Sequence, residues 1–195
     1  NNVIDMGEVS FLEKSLNEIS DIKNIFSEYM SRIKDYRNNY VYTDKNLFNF
    51  LYCPVIYKFF PRAKIIHCMR NPFDNILSIY RTNFLKQNFS SSLIDITKLY
   101  IYQHYLMNHY KKLYGEIIYS YKYDELVKNP SIEIPKLIDW LGWEWDDDFL
   151  NPHTNSRNVF TASSAQVRNK INNKGIGNWK KYEKILKPSI DLIKQ

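Results

Sequence analysis

Glycine is scarce: the 195 residues hold five, Gly7, Gly115, Gly142, Gly175 and Gly177, and none falls in G-x-x-x-x-G-K-[ST] or G-x-G-x-x-G. A glycine-rich nucleotide loop is therefore missing from this sequence. Cysteine is scarcer still. Cys53 and Cys68 stand alone, one beside a proline in a helical region and one in a strand pattern, so free buried thiols are expected rather than a disulfide or a metal pair. That usage suits a reducing compartment, and a cytoplasmic location is expected. No H-E-x-x-H or C-x-x-C occurs, and His104 and His109, five apart, point to different sides of a helix, so no metal site is expected. Asp146-Asp147-Asp148 lacks calcium-loop spacing, and no G-x-S-x-G marks a serine hydrolase. No apolar run reaches the roughly 18 residues of a membrane span, and the opening NNVIDMGEVS has neither the basic nor the apolar part of a signal peptide. No membrane partner is expected.

What is abundant points to a packed domain. Hydrophobic residues make up 44% and aromatics 16%, enough to exclude disorder, and the length fits one domain over residues 1–195. The net charge of +6 is spread along the chain. A nucleic-acid groove would want basic residues spread along it with exposed aromatics, whereas Arg70 and Ser78 against a helix N-terminus suit a discrete phosphate, so no nucleic-acid partner is expected.

The hydrophobic periodicity alternates between helix and strand. Leu12, Leu16, Ile19, Ile22, Ile25, Phe26, Met30 and Ile33 recur at helical spacing after a capping-box pattern, Ser10 to Glu13, with a break near Ser20-Asp21, so helices are expected to open the chain. Strands are expected at Val41–Thr43, Lys64–Met69 and Glu116–Tyr121. Helices are expected at 47–60 with a kink at Pro54, at 73–84, at 90–114, at 131–141 closed by Gly142, and at 183–193. Between 143 and 181 the pattern dissolves into a long polar stretch, read as a functional loop. The alternation predicts a parallel α/β sheet.

One stretch, FPRAKIIHCMRNPFDNILSIY at 60–80, concentrates the chemistry. Lys64 to Met69 has the near-continuous apolar character of a strand covered on both faces, Asn71 can cap the following helix and Pro72 suits its first position. Arg70 then stands at the carboxyl end of a parallel strand, the edge where ligands bind, beside a helix N-terminus expected to offer free N–H groups to an anion. Ser78 follows about two turns into the helix. The alternative for Arg70 is an ion pair with Asp74. Other polar signals follow the remaining strands: Thr43-Asp44-Lys45, Tyr123-Asp124-Glu125-Leu126, and TASSAQVRNKINNKGIGNWKKY in the long loop. Three strand ends and one loop can meet on one edge.

These segments resemble sulfotransferases. The 60–80 stretch is similar to F-P-x-A-K-I-I-x-x-x-R-x-P-x-D-x-x-x-S, by which that family holds the 3′-phosphate of the sulfate donor PAPS (3′-phosphoadenosine 5′-phosphosulfate). TDKNLFNFL resembles the T-D-K-x-x-x-N-F segment of bacterial sulfotransferases that follow tetratricopeptide repeats and are related to protein-tyrosine sulfotransferases. YKYDELVKNP resembles their Y-E-D-L-V-x-x-P, and TASSAQVRNKI with GNWKKYE resembles T-A-S-x-x-Q-V-R and G-x-W-x-x-Y-E. The resemblance implies a P-loop sulfotransferase-like α/β fold, a parallel sheet flanked by helices, lacking the first βα unit, whose strand and phosphate loop are expected upstream of Asn1. It implies PAPS as co-substrate without a metal, and an acceptor hydroxyl on a protein tyrosine, a carbohydrate or a small molecule. Arg70, Ser78, Tyr123, Lys174 and Gly175 are implied donor-binding residues. Lys45 is implied to neutralise the transferring group, Ser163 to lie near it, and Glu8 to serve as a base on the acceptor hydroxyl. A noncatalytic nucleotide- or anion-binding module is the alternative, and an uncovered sheet edge would favour a homodimer.

Overall fold

The structure is a computed structural model and describes residues 2–82, 88–155 and 168–194. Its order is β1 (Val3–Asp5), α1 (Phe11–Glu18), a 3₁₀ turn leading into α2 (Ile25–Ser31), β2 (Val41–Thr43), a 3₁₀ segment leading into α3 (Cys53–Phe59), β3 (Ile65–Met69) and α4 (Pro72–Thr82). The long α5 (Leu93–Leu113), β4 (Ile118–Lys122), α6 (Tyr123–Lys128) and α7 (Pro130–Leu141) follow, and α8 (Glu183–Lys194) comes last. The fold is mixed α/β with parallel strand pairing, as the alternation predicts. No helix among the described residues is long and apolar enough to cross a membrane.

Local chemistry explains most boundaries. Asp21 accepts from the Lys23 N–H and restarts the helix after the break at 19–20. The segment before Pro54 winds as a 3₁₀ turn and becomes α-helical from Cys53, which puts the proline in the first turn, where no N–H is needed. Gly142 closes α7 with φ 72°, and its N–H and that of Trp143 return to the carbonyls of Asp139 and Ile138.

The strands form two parallel pairs. β1 pairs with β2 from Val3 opposite Val41 to Asp5 opposite Thr43, and β3 pairs with β4 from Ile65 opposite Ile118 to Met69 opposite Lys122. Helices therefore do not open the chain. A three-residue strand precedes them, and it is stabilised only by a partner far along the sequence. Three apolar clusters hold the layers. Leu12, Ile25, Tyr29 and Ile33 pack α1 and α2 against β2 and α3. Cys53, Met107 and Ile118 fill the space between α3, α5 and the β3–β4 pair. Ile76, Leu77, Ile96, Leu186 and Ile190 join α4, α5 and α8.

Two expectations about β3 are corrected. Its inward face is covered, with His67 buried against Gln103 of α5, but Ile66 remains 45% exposed and Cys68 is exposed as well. The covering helix α7 sits over β4 instead: Trp140 packs on Tyr119 at 5.3 Å and is clasped by Lys64, whose Nζ donates to the Trp140 carbonyl. Of the two thiols, only Cys53 is buried. The capping box is also incomplete. Ser10 occupies the N-cap of α1, yet its hydroxyl makes no capping hydrogen bond.

Candidate functional site

Two sets of predicted residues lie at the carboxyl ends of the two strand pairs. At the first pair, β1 runs into Gly7, whose φ of +73° turns the chain so that its carbonyl accepts from the Lys45 N–H at 2.8 Å. Glu8 and Lys45 thus leave adjacent strands side by side. The Lys45 Nζ is 2.9 Å from Asp5 Oδ2, and Asp5 also accepts from Gly7 N–H and the Thr43 hydroxyl. Burial pushes the Asp5 carboxyl up, but the hydrogen bonds from Lys45 and Gly7 and the lysine charge outweigh it, so it titrates below the usual range. In Thr43-Asp44-Lys45 the middle residue is structural. Asp44 accepts from the Tyr29 hydroxyl at 3.0 Å and from Asn46 N–H at 3.0 Å, and burial pushes its pKa up. Glu8, Ser10, Glu13, Asn46, Leu47 and Phe48 line a cavity of about 350 Å³. The idle cap hydroxyl of Ser10 belongs to its wall.

At the second pair, Arg70, Tyr123 and Gly175 meet. The Arg70 guanidinium lies 5.1 Å over the Tyr123 ring, and its Nη2 donates to the Gly175 carbonyl at 2.8 Å. Its Nε is buried without a hydrogen-bond partner among the described residues. The alternative pairing with Asp74 is not adopted. Asp74, 3% exposed, accepts from the Gly177 N–H at 2.6 Å and the Trp179 N–H at 2.9 Å, which docks the 173–179 loop onto α4, and Trp179 then packs on Phe73. Lys174 is carried on that loop, exposed, its carbonyl accepting from Asn178. Ser78 lies one turn beyond Asp74 on α4 and is exposed. Ser163 lies outside the described residues.

The start of α4 does not offer the free N–H groups that its sequence suggests. The side chain of Asn71 accepts from Phe73 and Asp74 N–H at 3.0 and 3.2 Å, its carbonyl accepts from Asn75, and its own N–H donates to Asp124 Oδ2 at 3.3 Å. With Pro72 lacking a donor, the first turn is spent on its own cap. At this strand end Arg70 keeps a buried donor unspent among the described residues.

Gly175 stands close to Arg70. A Cβ built there would lie 2.9 Å from Arg70 Nη2, the movable end of a long side chain. Gly175→Ala should therefore displace the guanidinium rather than unfold the loop, at a cost below about 1.5 kcal/mol, read by urea denaturation. A larger loss would mean that the loop backbone itself had moved.

Sequence reasoning left Asp5 and Asp124 without a role of their own and offered Asp74 only as a partner for Arg70. Their side-chain or loop partners Lys45, Gly177 and Asn71 are 40, 103 and 53 residues away, so no local spacing could reveal those contacts.

Two parallel strand pairs, one with Lys45 and the other with Arg70 and the Gly175 loop at its carboxyl end, define a protein of the α/β class. Residues 12–147 match the model of the Sulfotransferase family, and the chain belongs to that family. It is 33% identical over 156 residues, 78% of its length, to an uncharacterized protein of Aquifex aeolicus (strain VF5), and it spans 20% of that relative. Among solved structures, the sulfotransferase domain from the curacin biosynthetic pathway superposes with a TM-score of 0.59 at 17% identity, covering 81% of this chain and 60% of that one. Mouse sulfotransferase SULT7A1 complexed with PAP superposes with a TM-score of 0.50 at 16% identity, covering 93% and 77%. At such identities the likeness is one of fold.

Proposed function

We propose that this domain transfers a sulfuryl group from PAPS to an acceptor hydroxyl. The observation that carries the reading is Arg70: a guanidinium at a parallel strand end, packed on Tyr123, with a buried Nε that has no partner among the described residues. Such a donor fits an anionic oxygen, and a guanidinium takes phosphate by charge-assisted, bidentate bonds. Arg70, Ser78 and the Lys174–Gly175 loop receive the donor's 3′-phosphate, and Tyr123 contacts the nucleotide. In transfer, the acceptor oxygen bonds to sulfur as the bond from sulfur to the 5′-phosphate oxygen breaks, and the acceptor proton passes to Glu8 in its cavity. Lys45 offsets the negative charge spread over the group in flight, which needs alignment and charge stabilisation and no metal. Ser163 is assigned by motif alone.

A second reading, a nucleotide-binding module without catalysis, has one observation in its favour: the Lys45 ammonium is already paired with Asp5. Thermal shift with adenosine 3′,5′-bisphosphate and adenosine 5′-monophosphate tests the site. Ligand at about 100 times its Kd should add roughly 2.7 kcal/mol of stability for the bisphosphate only. Arg70→Ala should weaken that binding roughly tenfold to a hundredfold, the size of a hydrogen bond to a charged group. Equal shifts from both nucleotides, or no effect of Arg70→Ala, would sink the 3′-phosphate assignment. Binding without labelled sulfate transfer to any hydroxyl acceptor would favour the second reading.

A further inference from the structure

Arg70 is not alone in holding an unspent buried atom. Asp124 Oδ1 is buried and has no hydrogen-bond partner among the described residues, while Oδ2 of the same carboxylate is held by the Asn71 N–H at 3.3 Å. Arg70 and Asp124 are interleaved. Arg70 precedes the residue that Asp124 caps, and its guanidinium lies over the ring of the residue before Asp124. They close the carboxyl ends of paired strands, where Met69 stands opposite Lys122, and both charges act on the Cys68 thiol. They do not pair with each other among the described ion pairs. One edge therefore holds an orphan donor and an orphan acceptor of opposite charge.

A buried carboxylate oxygen without a donor is costly, more so beside a second anion, so a ligand that brings a phosphate to Arg70 must also bring a hydrogen to Asp124. A phosphate with a hydroxyl on the neighbouring carbon does both. Resting on the donor reading above, we propose that Asp124 accepts a hydrogen bond from the ribose 2′-hydroxyl of the sulfate donor, so that the site recognises the vicinal 3′-phosphate and 2′-hydroxyl as a unit. Asp124 is then a specificity-determining residue that excludes 2′-deoxy nucleotides, because a site built to bond a hydroxyl strongly rejects the analogue without it.

The test is calorimetric titration of the chain with adenosine 3′,5′-bisphosphate and with its 2′-deoxy analogue, repeated on Asp124→Ala and Asp124→Asn. The ribonucleotide should bind about tenfold or more tighter than the deoxynucleotide, as for a hydrogen bond to a charged acceptor, and the ratio should fall below about twofold in Asp124→Ala and to about threefold to fivefold in Asp124→Asn, whose neutral NH₂ can still donate to the hydroxyl oxygen. Asparagine can keep the Asn71 contact while turning its amide NH₂ toward the gap, so it reports even if the alanine variant does not fold. Equal binding of the two nucleotides, still sensitive to Arg70→Ala, would overturn the role of Asp124 and leave the donor reading standing. Undiminished discrimination in a folded Asp124 variant would assign the 2′-hydroxyl to another group and overturn it as well. Failure of both nucleotides to bind would remove the donor reading and this inference with it.

Discussion

Asp74→Ala should lower the unfolding free energy by about 3 kcal/mol, a large share of the stability of a domain this size. The carboxylate is almost fully buried and holds two backbone N–H groups, those of Gly177 and Trp179. Each would be left as a buried donor without an acceptor, at roughly 1–3 kcal/mol apiece. Asp74→Asn should fall between, since its one carbonyl can serve only one donor while its NH₂ meets the other. Urea denaturation gives the loss, and Trp179, packed on Phe73, supplies a fluorescence probe of the loop itself. As a control, Asp191→Ala, which removes an exposed ion pair with Lys187 on α8, should change stability by less than about 0.5 kcal/mol. If the Asp74 variants behaved like the control, the loop would be held by Trp179 packing and not by the carboxylate. The consequence reaches the site. The same loop brings the Gly175 carbonyl to Arg70, so releasing Gly177 and Trp179 also frees the arginine's covering strand of backbone.

What was legible in the sequence was local. Strand β2 fell on the expected residues, α4 began where Asn71 and Pro72 predicted, and α7 ended at Gly142, because capping and periodicity act over a few residues. The grouping of Arg70 with Tyr123 and the Lys174–Gly175 loop followed from resemblance of motifs, and the structure brings Arg70, Tyr123 and Gly175 into contact. What was not legible depends on partners far along the chain. β1 exists because Val3 to Asp5 meet Val41 to Thr43, and three residues carry no period of their own. The open side of β3 depends on α7 settling over Tyr119 rather than Ile66, a choice invisible in IIHCM. The spent N-terminus of α4 needed Asp124, from a different strand end, to complete it. Apolar runs reveal that a strand is buried somewhere; which side, and against what, is decided by packing.

His67 should make the protein acid-sensitive in a window that its exposed acidic residues do not explain. It sits on the inner side of β3, 8% exposed, with Nε2 against the Gln103 amide at 2.9 Å and Nδ1 against the Ser120 hydroxyl at 3.5 Å. Burial, with a smaller contribution from His104 on α5, lowers its pKa from 6.5 to about 4. Above pH 6.5 the ring is neutral folded and unfolded, and nothing is lost. As pH falls below 6.5 the unfolded chain takes up the proton first, so stability drops until about pH 4, where the folded ring is protonated too and the loss is complete. At about 1.4 kcal/mol per unit the full loss is on the order of 3 kcal/mol, most of it already present at pH 4.5. Asp5, whose pKa is lowered, also loses stability in acid, but as pH falls through the carboxylate range. The measurement is unfolding free energy from pH 7.5 to 4.5 for the natural chain and for His67→Gln. The variant keeps a polar partner for Gln103 and Ser120 but cannot titrate, so its curve should be flatter by about 2–3 kcal/mol across that range. Parallel curves would mean that His67 protonates as readily folded as unfolded, and that β3 opens to water beneath Arg70.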